Sequence, residues 1–177
     1  MKKEHKIIIG VIAVFVLLIA LSSFFSKKKE IVEQDRLSKS LVGEKIEEMK
    51  SPHINIGDSH EPYNSNPPTS GPHVGNGVAG PGIKDKPVAD ELVVHSLEHG
   101  AVVLWYREDL KKEDIEKLRK VFLEASGKKI MMSRNNMDTP IALTSWGYLL
   151  KLESVDDEKI KEFIETNNDR APEKAQI

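Results

Sequence analysis

The 177-residue chain contains no cysteine. This absence excludes disulfides, thiolate metal ligands, cysteine nucleophiles and a lipid anchor on an amino-terminal cysteine, so we expect stability to come from a packed core. An excess of charge of one sign is also lacking, because 26 basic and 28 acidic side chains leave a formal net charge of -2. No basic stripe is present that could neutralise phosphates, and we therefore expect no nucleic-acid partner.

Signatures of nucleotide chemistry and serine catalysis are missing as well. The sequence has no glycine-rich phosphate loop, no Rossmann fingerprint and no serine elbow. The backbone amides of such loops hold phosphates, and the elbow exposes a nucleophile. We therefore expect no nucleotide cofactor, and function has to be sought in other side chains.

One long uncharged run is present, at residues 7–25, and it contains 19 residues. As a helix rising ~1.5 Å per residue it would extend about 28 Å, enough to cross a bilayer. A signal peptide has a shorter apolar region, of about 7 to 15 residues, and a small-residue cleavage site. The run therefore predicts an uncleaved transmembrane helix that contacts the lipid bilayer, with a cleaved and released form as the alternative.

The anchor implies a division of the chain into five parts. Residues 1–6 would be a short cytoplasmic segment, 7–25 the anchor and 26–50 a charged, helical stalk. Residues 51–170 would form an extracytoplasmic domain and 171–177 a polar tail. The expected location is the cell membrane, with a single pass, a cytoplasmic amino terminus and an unidentified partner in the cell envelope.

Residues 51–87 are rich in proline and glycine, and this stretch predicts a shaped loop. In "YNSNPPTSGPH" at 63–73, Pro67 and Pro68 fix two backbone φ angles. The turn at Ser70, Gly71 and Pro72 would then deliver His73 at a determined angle.

The second half of the chain predicts an α+β fold. Strand-like composition is found at 92–94, 101–106, 129–133, 141–145 and 148–152, and helical spacing at 115–125 and 156–167. We expect a small mixed or antiparallel sheet with two helices on one face. The long loop would lie over an edge or over the other face.

Three ionisable residues interrupt the strand-like sequence "VVHSLEHGAVVLWY" at 93–106. His95 and His99 lie on the same side of a helical turn and also of an extended strand. Glu98 joins them only on a helical turn. Gly100 suits either a helix C-cap or a bulge, so both alternatives stay open.

The histidines are concentrated, since five of the six lie between positions 53 and 99. We predict a metal site formed by His73, His95 and His99, with His60 or His53 as a further ligand. Glu98 and Tyr63 would lie next to the ligands, where Glu98 would orient a histidine. Imidazoles without thiolates suit zinc or copper. Met131 and Met132 are candidate soft ligands that would favour copper(I), although methionine in a strand is usually core.

The pattern H-x-x-E-H at 95–99 also matches the inverted zinc-protease motif, in which the glutamate acts as general base. Only under this alternative would the chain be a hydrolase and Glu98 a catalytic residue. A third alternative is an interaction module, in which the proline and histidine segments build a rigid docking loop without a metal.

Three segments, "YNSNPPTSGPH", "VHSLEHGAVVLWY" and "IALTSWGYLLKL" at 141–152, carry a family resemblance. Over about residues 50 to 172 the chain resembles a bacterial family of exported, often membrane-anchored domains designated only as a domain of unknown function. The resemblance implies that the proline loop and the histidine segment belong to one domain. It implies no activity. The positions that match the family signature are Pro67, Pro68, Ser70, Gly71, Pro72, His73, His95, Glu98, His99 and Gly100.

Overall fold

The computed structural model describes residues 3–177, without the side chains of residues 3–11, 13 and 14. The described residues form four helices, α1 (Lys3–Ser38), α2 (Asp90–Glu98), α3 (Lys112–Glu124) and α4 (Asp157–Asn167). Eight strands accompany them: β1 (Glu44–Lys45), β2 (His53–Ile54), β3 (His73–Val74), β4 (Gly82–Ile83), β5 (Val102–Tyr106), β6 (Lys129–Ser133), β7 (Ile141–Ser145) and β8 (Tyr148–Leu152). One compact unit ends at Ser40, and the other spans Leu41–Ile177.

The predicted transmembrane anchor is wrong. In the part of the chain that the structure describes, no helix is both long and apolar enough to cross a membrane. The uncharged run does not form a separate apolar helix, because α1 continues to Ser38 through Lys27, Glu33 and Arg36. Residues 1 and 2 of the predicted segment 1–6 lie outside the described residues, as do several side chains at the start of the run.

A mixed six-stranded sheet forms the centre of the second unit, and the fold is α+β. Its strand order is β1-β8-β7-β5-β6-β4. Strand β6 runs parallel to β4 and β5, whereas the pairs β5–β7, β7–β8 and β1–β8 are antiparallel. A parallel pair of consecutive strands needs a crossover, and α3 supplies it between β5 and β6. The predicted strands at 129–133, 141–145 and 148–152 are confirmed.

Side chains of the central strands alternate between two cores. Val102 and Leu104 of β5 face the cluster that includes Phe122 of α3 and Phe163 of α4. Val103 and Trp105 face the opposite cluster, which contains α2. This is the period of two that a strand imposes. Helices α3 and α4 therefore cover one face, and α2 lies on the other.

The strand predicted at 92–94 is wrong, because these residues belong to α2. Val93, Val94 and Leu97 are fully buried and share one cluster. A short apolar run of this kind fits a buried strand and a buried helix equally well. The helix places Glu98 on the same side as His95, and it thereby decides between the two geometries that the sequence left open.

Candidate metal centre

The proline-rich segment is a buried and specifically bonded part of the domain. Every residue from Pro67 to Val74 is buried. The Ser70 hydroxyl accepts a hydrogen bond from the Met49 amide at 3.0 Å, and the Thr69 carbonyl accepts one from Gly147 at 3.1 Å. These contacts fix the path of the chain immediately before His73.

Gly71 and Tyr63 complete the turn that leads into β3. Gly71 has a φ of 127°, a conformation that L side chains rarely adopt, and a Cβ there would lie 3.0 Å from the Tyr63 ring. The Tyr63 hydroxyl donates to the Pro72 carbonyl at 2.8 Å. Burial raises the pKa of Tyr63, so this hydroxyl keeps its proton. Tyr63 therefore supports the backbone next to His73.

Arg134 holds α2, the helix that carries His95 and Glu98, next to the loop that carries His73. Arg134 at the end of β6 makes a two-point ion pair with Asp90 in the first turn of α2, with Nη2 2.9 Å from Oδ2. The Arg134 Nε also donates to the Asn66 side chain at 2.9 Å. One side chain thus joins the helix that carries His95 to the loop that carries His73.

His53 joins the group from β2, which pairs with β3 in parallel. In this pairing His53 lies directly opposite His73, and their ring centroids are 4.9 Å apart. The His53 ring is 5.7 Å from the His95 ring. Gly75 leaves room for it, since a Cβ at this position would lie 2.7 Å from the His53 ring atoms.

These four side chains converge on one point. His53, His73, His95 and Glu98 each offer a ligand atom, and all four atoms lie within 4.8 Å of one another. His73 is fully buried, His95 and Glu98 are buried, and His53 is exposed. The group combines three imidazole nitrogens with one carboxylate oxygen.

Backbone carbonyls set the tautomers of the two buried imidazoles. His73 Nδ1 lies 2.9 Å from the Gly71 oxygen, and His95 Nδ1 lies 2.8 Å from the Gly77 oxygen. A carbonyl oxygen only accepts, so each Nδ1 carries the proton. In the neutral ring the Nε2 lone pair is then free to coordinate, which is the usual arrangement behind a metal-bound histidine. Burial lowers the pKa of His95 and favours that neutral form.

Two atoms at the centre of the group lack hydrogen bonds. His73 Nε2 approaches Glu98 Oε2 to 2.9 Å. Both atoms are nevertheless buried without a partner in hydrogen-bonding geometry among the described residues. The two atoms are close, but the angles between them do not fit a hydrogen bond, so the contact leaves the hydrogen-bonding capacity of both atoms unused. Buried polar atoms left in this state are costly, and in native proteins they often mark the position of a bound ion or water, or a functional site.

His99 and His60 contact residues outside the converging group. His99 Nδ1 donates to the Gln176 carbonyl at 2.9 Å, and its Nε2 lies 3.2 Å from Glu173. His60 Nδ1 donates to the Glu61 carbonyl, and its Nε2 lies 3.3 Å from Glu91. The His99 ring still contacts the His95 ring, with centroids 4.4 Å apart. Neither histidine belongs to the converging group.

Met131, Met132 and Gly100, which the sequence also singled out, contribute to the core and to the end of α2 and lie outside the converging group. Met131 and Met132 are fully buried in the two hydrophobic clusters on opposite faces of the sheet. Gly100 has a φ of 84°, and a Cβ there would lie 2.8 Å from the Asp169 backbone. It therefore ends α2 where the carboxyl-terminal segment crosses it.

Sequence reasoning missed the parts played by Glu98 and Arg134. Glu98 was assigned a supporting position, yet its carboxylate lies inside the group. Arg134 bonds to Asp90 and Asn66, and no local pattern in the sequence links it to either residue. The signal for His53 was the short apolar alternation "HINIG", which is typical of a strand.

A family model described as "Protein of unknown function (DUF3105)" matches residues 56–177. The chain belongs to the DUF3105 family. No curated protein and no solved structure matches it. His73, His95 and Glu98 lie within the part matched by the DUF3105 model, and His53 lies just before it.

Proposed function

We propose that this DUF3105 domain binds one divalent transition-metal ion, zinc or copper(II), through His53, His73, His95 and Glu98. The observation that carries the proposal is the convergence of four ligand atoms within 4.8 Å around two buried atoms that lack hydrogen bonds. A bound cation would give both atoms the partner that the described side chains do not supply.

The chemistry of the donors selects the class of metal. Imidazole nitrogen suits zinc, copper, iron and nickel, whereas calcium and magnesium prefer oxygen ligands. The argument for copper(I) rested on a thioether, and Met131 and Met132 are outside the converging group. Three nitrogens and one carboxylate oxygen are a suitable set for zinc or copper(II).

Electrostatics supports the same conclusion. A buried carboxylate is costly unless a cation or several hydrogen-bond donors compensate its charge. Within the described residues Glu98 lies close to imidazoles, and the Nε2 of two of them carries a lone pair when the ring is neutral. A divalent ion among these groups would be attracted by every one of them.

The hydrolase alternative receives less support. The inverted protease motif needs His95 and His99 as ligands and Glu98 free to act as base. Here Glu98 lies among the ligand atoms, and both ring nitrogens of His99 contact the carboxyl-terminal segment.

The direct test is metal content. The full-length protein, purified without a histidine tag, is loaded with zinc or copper(II), desalted and analysed by mass spectrometry for metal. We expect about one equivalent in the wild type and in His60→Ala, and less than one tenth in His73→Ala. A wild-type value below one tenth of an equivalent with both metals would refute the proposal.

A further inference from the structure

The four residues of the group differ in how firmly they are held. His73 and His95 are buried, and backbone carbonyls fix both rings. Glu98 is buried at the end of α2. The His53 side chain, in contrast, is 59% exposed and comes from a strand of two residues. Among the described contacts its ring meets His73, His95 and Glu98 but no backbone carbonyl.

The exposed side of His53 borders a cleft. This cleft has a volume of about 270 Å³ and is lined by His53, Ile54, Asn55, Asp58, Gly75 and Asn76. The volume accommodates several water molecules at about 30 Å³ each. Amide and carboxylate side chains in the lining offer oxygen atoms of the kind that stabilise a hydrated cation. His53 is the residue that the cleft and the ligand group share.

Two features of the cleft bear on its use. Asp58 accepts hydrogen bonds from the Asn55 amide at 2.8 Å and from its side chain at 3.0 Å, which fixes the carboxylate in the lining. Gly75 carries no side chain that could come between the cleft and the His53 ring. The exposed His53 ring therefore meets fewer contacts that oppose its turning towards solvent than the rings of His73 and His95, which are buried and held by backbone carbonyls.

From this asymmetry we propose that the metal enters and leaves through the cleft, and that His53 is the ligand that an incoming donor replaces. The inference rests on the proposed metal binding. An external nitrogen or oxygen donor, from a small chelator or an acceptor protein, would occupy the position that His53 vacates. His73, His95 and Glu98 would hold the ion until the exchange is complete. The domain would then serve to hand over metal as well as to retain it.

The rate of metal release tests this route. Zinc-loaded full-length protein is mixed with a chromophoric chelator in a stopped-flow instrument, with the chelator in increasing excess. We expect the release rate of the wild type to rise in proportion to chelator concentration, because the chelator attacks the bound ion directly. His53→Ala should still bind about one equivalent of zinc and release it about ten-fold faster. The control His60→Ala should match the wild type.

Two results would overturn the route while leaving metal binding intact. One is a wild-type release rate that does not depend on chelator concentration, which would mean that the ion leaves in a unimolecular step before the chelator binds it. The other is a zinc content below one tenth of an equivalent in His53→Ala, which would make His53 as necessary as the buried ligands. Absence of zinc from the loaded wild type would instead remove the proposed function itself.

Discussion

Glu98 and His73 form the contact on which the candidate site depends most. Their side chains approach to 2.9 Å inside the domain, and His73 Nδ1 already donates to the Gly71 carbonyl. With a neutral imidazole, two lone pairs face each other at this contact. That arrangement is unfavourable in the metal-free protein and favourable around a cation.

The substitution Glu98→Gln should have opposite effects on the metal-free and the metal-bound protein. The side-chain amide of Glu98→Gln can donate to His73 Nε2, so we expect the metal-free protein to become more stable by about 1 kcal/mol. Zinc content should fall below one tenth of an equivalent. Urea unfolding with a chelator present measures the first effect, and mass spectrometry of the metal measures the second.

A loss of stability in metal-free Glu98→Gln would point to a different state of the site. Were His73 protonated and paired with Glu98, the substitution would break a buried ion pair and destabilise the metal-free protein by several kcal/mol. A lowered urea midpoint for Glu98→Gln would therefore identify an ion pair and count against a metal site.

At the scale of elements, Arg134 connects the segments that carry the ligands. It pairs with Asp90 of α2, binds Asn66 of the proline loop and lies over the Trp105 ring, 5.2 Å from its centroid. Only a guanidinium can make the two-point contact with Asp90 while a third nitrogen bonds another residue. The relative position of α2 and the loop therefore depends on this side chain.

We expect Arg134→Ala to lower the free energy of unfolding by about 2 kcal/mol, because it removes several charge-assisted hydrogen bonds from a partly buried site. Zinc affinity should fall roughly ten-fold, since the two ligand-bearing segments lose their common support. Chemical denaturation and a competition titration measure the two effects. Arg119→Ala, at a partly buried position of α3 outside the ligand group, is the control. Unchanged zinc affinity in Arg134→Ala would show that the site is positioned by other contacts.

Helix α4 gives a prediction about pH. The Lys159 backbone amide donates to the Asp156 carboxylate and, with the Lys159 side chain, lowers the pKa of Asp156 from its ordinary 3.8. A depressed carboxylate pKa contributes stability above the unfolded-state value, and this contribution is lost as pH falls through the folded-state value. Asp156 is the N-cap residue of α4.

Asp156→Asn keeps a capping oxygen but has no charge to titrate. We therefore expect its urea midpoint to lie below that of the wild type at pH 7 and to approach it at pH 3. Asp156→Ala, which also lacks the oxygen, should be less stable than Asp156→Asn at both pH values. A gap between wild type and Asp156→Asn that stays constant from pH 7 to pH 3 would contradict this account.

For the whole molecule, a metal held by β2, β3 and α2 would tie the proline loop to the sheet domain. A ligand that binds only the folded state at about 100 times its Kd adds about 2.7 kcal/mol to stability. For a domain of this size we expect a strong chelator to lower the Tm of the zinc-loaded protein by about 5 to 10 °C. Differential scanning calorimetry with and without chelator measures the shift. His73→Ala should show none.

An unchanged Tm in the loaded wild type would favour the interaction-module alternative. In that case the proline loop would be rigid through its own contacts, such as the hydrogen bonds at Ser70 and Thr69, without help from an ion.

Local patterns were sufficient for several elements and insufficient for others. Strand-like composition at 141–145 and 148–152 predicted two strands, and the structure pairs them as an antiparallel hairpin with Trp146 and Gly147 between them. The apolar run at 92–94 was wrongly assigned to a strand. A short apolar run fits a buried strand and a buried helix equally well, and the residues belong to α2. The uncharged run at 7–25 predicted an anchor because of its length and its lack of charge, yet it is part of α1, and no helix of the described residues is long and apolar enough to cross a membrane.

The sequence by itself determined which side chains could bind a metal and that His73 would be carried on a stiff loop. These are local properties, set by residue type and by the backbone limits of proline and glycine. Only the tertiary structure decided that His53 and Glu98 join His73 and His95 while His99 does not. That choice depends on the parallel pairing of β2 with β3 and on the pairing of Arg134 with Asp90, contacts between residues far apart in the chain.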